Sequence, residues 1–193
     1  MAFFSRKNRY NRYFEGYEQR TDYDRYGNEK QKYVYVGNYF QPDMTESQFR
    51  IRKAINIFLL IASYALNLAA GIIPTAAIPM NNTKVMGVAQ CLAILSLIAT
   101  TVYVVTHASS PYAMEIHAHK GSHERLTVVS LITWLVLAAV FIAAVAASFI
   151  YAKGFSLNVV LWLLAYLASA ASIFVIWFLE KNTDYIILPP DHF

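Results

Sequence analysis

The most regular feature of the chain is a set of four long apolar runs that contain no Asp, Glu, Lys or Arg. A helix rises about 1.5 Å per residue, so about 20 apolar residues cross the hydrocarbon core of a bilayer. Each run reaches that length, and we therefore predict an all-α membrane protein with an antiparallel four-helix transmembrane bundle. The predicted spans are about residues 54–73, 85–105, 126–152 and 157–179.

Basic residues beside these runs predict which side of the membrane each end faces. Arg50, Arg52 and Lys53 precede the first run, and Lys120 and Arg125 precede the third. Because cytoplasmic flanks carry an excess of Lys and Arg, we expect these segments to face the cytoplasm. Four crossings then place both termini on that side, in a multi-pass protein of the plasma membrane.

Composition and charge divide the chain into two parts. Of its 193 residues, 57% are hydrophobic, which is more than an ordinary soluble domain contains. The formal net charge of +4 resides in residues 1–53, because acidic and basic residues balance in the remainder. We predict a basic, tyrosine-rich and partly disordered cytoplasmic head, followed by the membrane domain. Their bounds are residues 1–43 and 44–193, with an inner loop at 106–125 and a cytoplasmic tail at 180–193.

Two local signals refine this division. Thr45 and Gln48 have the spacing of a capping box, so the first helix is expected to begin before it enters the membrane. The single cysteine, Cys91, lies inside the second apolar run, which excludes an intrachain disulfide and a cysteine zinc cluster.

The head alternates arginine with tyrosine near its beginning, and eight of the 14 tyrosines lie in the first 40 residues. Aromatic residues there recur at helical spacing beside arginines, as in a helix that lies on a membrane surface. Docking on lipid or on a protein partner is one interpretation, and a disordered tail is the other. A nucleic-acid partner is not expected, since acidic residues dilute the basic charge. The predicted contact residues are Arg9, Tyr10, Arg12, Tyr13 and Tyr17.

Two further segments have the composition of short strands. Tyr33 to Val36 alternate with period two, and Gly37 and Asn38 interrupt the pattern before Tyr39 and Phe40. The run from Tyr185 to Leu188 is also extended in character, ends at two prolines, and lies on the same side of the membrane. We predict that these two segments pair.

The inner loop contains the cluster best suited to a transition metal, namely His117, His119 and His123. His119 and His123 are four residues apart, so on a helix both imidazoles would share a face. Gly121 between them weakens the helix, and a solvated loop without metal is the alternative interpretation. We expect no organic cofactor.

Mild polar residues form stripes along the predicted spans. Their spacing places them on one face of each helix, where we expect them to point inward and hydrogen-bond across the bundle. The stripe residues are Asn56, Ser63, Asn67, Gln90, Asn158 and Ser169.

These features favour some functions over others. The four apolar runs contain no histidine or carboxylate, so catalysis within the membrane is not expected. Coupled transport usually needs ionisable residues or broken helices in the spans, which are also missing from the four runs. We therefore predict an accessory, scaffolding or regulatory membrane subunit with a protein partner or a homo-oligomeric state. The alternative is an oligomeric channel or carrier for an uncharged or weakly charged solute, lined by the polar stripes.

Overall fold

Four long helices make up most of the computed structural model, which describes residues 16–23, 26, 28–72, 78–151 and 156–190. All four are long and apolar enough to cross a membrane. This confirms the four predicted apolar helices, each of which extends at one or both ends further toward the polar flanks than predicted. The helices are α1 (Glu46–Ile72), α2 (Lys84–Ala108), α3 (Arg125–Tyr151) and α4 (Leu157–Lys181).

Side-chain caps fix where three of these helices begin. The Thr45 backbone N–H donates to Gln48 Oε1 at 2.9 Å, and the Gln48 N–H donates to Thr45 Oγ1 at 3.3 Å. This reciprocal pair is the predicted capping box, and it satisfies two N–H groups that a helix start leaves without partners. Thr83 and Ser156 cap α2 and α4 with a single bond each, in which the hydroxyl oxygen accepts from the backbone N–H three residues later.

The helices pack around one apolar core. Helix α1 contacts α2 and α4, and α3 contacts the same two helices. Residue numbers run in opposite directions along α1 and α4, since Asn56 contacts Glu180 whereas Ser63 contacts Ser169. Buried leucine and isoleucine side chains fill the space between such polar pairs. They include Leu60, Leu97, Leu137, Ile173 and Ile176.

The connection between α2 and α3 ends in two helical turns that lead directly into α3. A two-residue strand, β4 (Met114–Glu115), leads into a helical turn, Ile116–His119. The next five residues, Lys120–Glu124, form a π-helical turn that joins α3. A π turn is locally wider than an α-helix and is often found at functional sites. Here it directs Ser122 and His123 inward, where both are buried.

Short strands from three parts of the chain lie at this same end of the helices. Strands β1 (Tyr17–Tyr23) and β2 (Glu29–Tyr35) form an antiparallel hairpin. Strand β3 (Tyr39–Pro42) is the centre of a second sheet, between β4 and the C-terminal strand β5 (Tyr185–Leu188). We call these two sheets the strand platform. The all-α prediction is therefore incomplete for the described residues.

The two segments before and after Gly37 are both strands, but the predicted pairing with the C-terminal run is correct only for the second. Tyr39 and Phe40, which follow the interruption at Gly37, pair with Leu188 and Ile187 as expected. The alternating residues before the interruption pair instead with Tyr17 to Gln19 of β1. The physical reason is that β1, a strand of seven residues, lies close to β2 in the chain. The two strands can therefore form a hairpin at a small cost in loop-closure entropy.

Candidate functional site

The described part of the chain buries one carboxylate, Glu180, near the last turn of α4, with a side chain that is 1% exposed. Asn56 Nδ2 on α1 donates to Glu180 Oε1 at 2.7 Å. His123 Nδ1 lies 3.0 Å from Glu180 Oε2, and His107 Nε2 on α2 lies 3.5 Å from the same oxygen. We call these four residues the Glu180 cluster. A buried charge is stable only when it is paired or hydrogen-bonded. The groups around Glu180 come from α1, α2 and the π-helical turn before α3, so the cluster joins the helices at one end.

Aromatic rings cover the Glu180 cluster on the side of the strand platform. The Tyr185 ring of β5 lies 4.6 Å from His123 and 4.5 Å from His119, measured between ring centroids. His119 in turn stacks on Phe40 of β3 at 4.6 Å. Burial, together with the nearby Glu180 charge, raises the pKa of the Tyr185 phenol above its usual range. The phenol is therefore neutral at physiological pH and acts as an uncharged cover.

Two cations of α1 hold the ends of neighbouring helices beside this cluster. The Arg52 guanidinium donates to the Leu179 carbonyl at 2.6 Å and to Thr183 Oγ1 at 2.9 Å. Lys53 Nζ donates to the Ser110 carbonyl at 2.5 Å and to the Ala108 carbonyl at 3.3 Å. Carbonyls at the C-terminal end of a helix have no partner within the helix and carry partial negative charge. Arg52 and Lys53 therefore stabilise the ends of α4 and α2, respectively.

The hairpin of the strand platform is attached to the inner loop by tyrosine contacts. The Tyr17 hydroxyl donates to the Glu115 carboxylate, and the Ile116 backbone N–H donates to the Tyr35 hydroxyl oxygen at 3.1 Å. The hydrogen bond to Glu115 raises the pKa of Tyr17 to about 12, with a smaller contribution from burial. These contacts hold the base of the hairpin, whereas most of its other residues are exposed.

The three histidines predicted to bind a metal occupy different surroundings. His123 belongs to the Glu180 cluster, and the His119 ring lies 5.2 Å from the His123 ring. His117 instead stacks on Tyr17, at 6.4 Å between ring centroids. Among the described residues, no group of three or more His, Cys, Asp or Glu side chains is arranged to hold a metal ion. A metal at these histidines stays a prediction.

The polar stripes mostly point inward, as predicted. Ser63 and Ser169 hydroxyls lie 2.8 Å apart across α1 and α4. Gln90 Nε2 donates to Asn67 Oδ1 at 2.8 Å, and the Tyr166 hydroxyl donates to Gln90 Oε1 at 2.9 Å. These bonds satisfy polar groups that would be costly in a hydrocarbon environment.

One stripe residue behaves differently. Asn158 is exposed, so the expectation that it points inward is wrong. Asn158 lies near the start of α4, one residue before the buried Val159. Its side chain faces away from the other three helices.

Of the five residues predicted to form the contact surface of the head, the structure describes one, Tyr17. Arg9, Tyr10, Arg12 and Tyr13 lie outside the described residues. Tyr17 begins strand β1, so the proposed helical aromatic face does not reach it. Its ring packs on Tyr35 at 5.1 Å, and this cross-strand aromatic pair favours the strand.

Sequence reasoning missed Glu180 and His107 as site residues because both lie just beyond the apolar runs. The sequence signal that could have identified them is helical spacing. Glu180 follows Ser169 by three turns and His107 follows Thr100 by two, so each lies on the buried face of its helix.

The Glu180 cluster places two imidazoles within 3.5 Å of one carboxylate and joins segments that lie far apart in the chain. Comparison with family models, curated proteins and solved structures found no match to this chain.

Proposed function

We propose that the chain is a plasma-membrane protein whose four helices cross the bilayer as an antiparallel bundle, with both termini in the cytoplasm. Large apolar side chains on the outside of each helix support this topology, because water would disfavour so wide an apolar surface. The exposed fractions are 70% for Phe58, 62% for Val88, 66% for Ile142 and 52% for Leu161. The basic flanks described above support the direction of insertion.

Within that topology we propose an accessory or scaffolding role, in which the strand platform contacts a cytoplasmic protein partner. The observation that carries this proposal is the joining of head, inner loop and tail in one sheet, β4-β3-β5. Three segments far apart in the chain meet there, and the Glu180 cluster beneath them is buried. A rigidly held sheet favours protein recognition, since less conformational entropy is lost on binding.

The hairpin β1-β2 supplies the surface for that partner. A two-stranded hairpin is marginally stable in water unless something packs against it. Tyr23 is 64% exposed and Tyr33 is 48% exposed. Tyr23 pairs with Glu29, and Tyr33 pairs with Gln19. Residues an even number of positions apart on a strand share a face, and Tyr23 and Tyr33 are such distances from Tyr17 and Tyr35, which pair with each other. Tyr23 and Tyr33 therefore lie on the same face of the hairpin. Exposed tyrosines are typical of protein interfaces.

The interior contacts support packing rather than a solute route. The polar pairs Asn56–Glu180 and Ser63–Ser169 are separated by buried Leu60. Each pair forms a hydrogen bond between α1 and α4, which supports helix packing at these positions. A channel or carrier for an uncharged solute remains the alternative function that the test must distinguish.

Site-specific photo-crosslinking in intact cells tests the accessory role. A benzophenone amino acid in place of Tyr23 should give a discrete adduct with one cytoplasmic protein. The matched control is the same substitution at Ile142, which has a similar exposed fraction but lies midway along α3. We expect only lipid adducts there.

The opposite result would favour transport. If Tyr23 gives no protein adduct, and liposomes containing the purified chain show solute flux that Asn67→Leu abolishes, then the accessory role is wrong. Flux would then depend on the polar stripe rather than on the hairpin.

A further inference from the structure

The seam between α1 and α2 opens into a cleft at the end that carries the strand platform. The cleft has a volume of about 460 Å³ and is lined by Arg50, Lys53 and Ile57 of α1, together with Ala108 and Ser110 at the end of α2. Glu46 also lines it, and its carboxylate lies 2.6 Å from Arg50. Two cations and one anion give the cleft a net positive charge.

A second, mainly apolar groove follows the same seam toward the middle of the helices. It has a volume of about 490 Å³ and is lined by Tyr64 of α1 and by Ile98, Val102 and Val105 of α2. Tyr64 and Thr101, which also lines the groove, are joined by a hydrogen bond of 3.0 Å. Thr106 also lines the groove, and its hydroxyl donates to the Val102 carbonyl of the same helix at 2.8 Å. The other lining residues are apolar, so the groove suits hydrocarbon better than water.

The cleft and the groove lie in line. Ile57 in the cleft and Tyr64 in the groove are seven residues apart, which places them on one face of α1 about 10 Å apart along the axis. Val105 and Ala108 are likewise one turn apart on α2. The seam therefore presents a basic opening at one end and an apolar trough beyond it.

We propose that this seam binds one anionic phospholipid of the cytoplasmic leaflet. The phosphate lies in the cleft beside Arg50 and Lys53, and an acyl chain lies in the groove. The inference rests on the four-span topology proposed above, which places the cleft at headgroup depth and the groove in the hydrocarbon. Basic pockets between helices on the cytoplasmic side are suited to anionic lipid headgroups.

Both cations have donors for a phosphate. Lys53 has three N–H donors, of which two contact the Ser110 and Ala108 carbonyls. The Arg50 side chain is 76% exposed, and its ion pair with Glu46 is a surface contact of small free energy. A phosphate can therefore replace the carboxylate at little cost, and bidentate hydrogen bonding suits it to guanidinium.

Native mass spectrometry of the full chain in detergent tests the proposal, with added phosphatidylglycerol and, separately, phosphatidylcholine as probes. The parent should retain one phosphatidylglycerol and release phosphatidylcholine. Arg50→Gln combined with Lys53→Gln should weaken phosphatidylglycerol retention about tenfold, because surface cations attract anionic lipid. Arg125→Gln combined with Lys181→Gln removes the same charge outside the seam and should leave retention unchanged.

A second pair of variants tests the groove without changing charge. Val102→Trp fills the groove and should displace the lipid, whereas Val128→Trp on α3 should not. The two valines are matched, with exposed fractions of 58% and 56%. Circular dichroism confirms that each variant is folded.

Three outcomes overturn the proposal. One is equal retention of both lipids by the parent, and another is equal loss in the seam and control charge variants. The third is displacement of phosphatidylglycerol by inorganic phosphate with no effect of Val102→Trp, which would indicate a soluble anion site. Flotation with liposomes separates this failure from a failure of the topology, because a chain that does not float is not inserted at all.

Discussion

Replacing Glu180 with leucine should be among the most damaging single changes in the chain. The Glu180 carboxylate is buried and accepts hydrogen bonds from Asn56 on α1 and from His123 in the π-helical turn before α3. Leucine is apolar and of similar volume, but it leaves both donors buried without an acceptor. A buried polar group that loses its partner costs about 1–3 kcal/mol, so two such groups predict a loss of about 3 kcal/mol after the gain from an apolar side chain.

Two further variants separate charge from shape. Glu180→Gln keeps an acceptor oxygen for Asn56, so we expect a loss of only about 1 kcal/mol. Glu124→Gln is the control, because that carboxylate is 56% exposed and lies 3.7 Å from His119 at the same end of the bundle. A contact whose carboxylate is this exposed contributes at most about 1 kcal/mol, so the expected change is below about 0.5 kcal/mol.

Unfolding in mixed dodecyl sulfate and maltoside micelles, followed by circular dichroism, measures these differences. Proteolysis of the tail after Lys181 gives a second readout, since β5 directly follows the cluster. A free energy of unfolding for Glu180→Leu within about 0.5 kcal/mol of the parent would refute the claim that the Glu180 cluster joins the helices.

Three other predictions follow from single contacts. Asn67→Leu should lower the free energy of unfolding by about 1–2 kcal/mol, because it removes a cross-helix hydrogen bond. Asn158→Leu should leave that free energy within about 0.5 kcal/mol of the parent, since the Asn158 side chain is exposed. Equal effects of the two variants would contradict the burial of Asn67. Gly71→Ala should lower the free energy of unfolding by about 1–3 kcal/mol in the same assay, because the added methyl would lie 2.8 Å from Gln90 Nε2, which is already bonded to Asn67. An unchanged free energy would show that α1 and α2 are less closely packed. The Tyr17 pKa is raised from 10.0 to about 12, so its hydrogen bond to Glu115 contributes to stability below a pH of 10.0 and is lost as the pH rises to about 12. Ultraviolet titration of parent minus Tyr17→Phe should show this pKa, and Glu115→Gln should return it toward 10.0; no movement would exclude Glu115 as the cause.

The helical part of the fold could be predicted because its signals are local. Charge-free runs of sufficient length predict helices, and the Thr45 capping box locates the start of α1 from two side chains. The inward position of Ser63 and Ser169 follows from helical spacing alone. Each of these inferences needs no knowledge of distant contacts.

The strand platform and the Glu180 cluster depend on contacts between distant residues, which local patterns do not specify. The partner of Tyr39 is Leu188, far along the chain, and β2 has an equally suitable neighbour in β1. Glu180 resembles a solvated tail residue in sequence, since charged residues at helix ends are usually exposed. Its burial depends on His107 and His123 arriving at the same place from two other segments.

Cysteine labelling in intact cells tests the topology most directly. Cys91→Ser removes the exposed native thiol, and single cysteines are then placed by Arg20→Cys in the hairpin, Asp184→Cys in the tail and Lys84→Cys at the start of α2. A membrane-impermeant maleimide should label the Lys84→Cys variant in intact cells, and the other two only after permeabilisation. Labelling of the hairpin or tail variants in intact cells would contradict a bundle that crosses the membrane four times from a cytoplasmic strand platform.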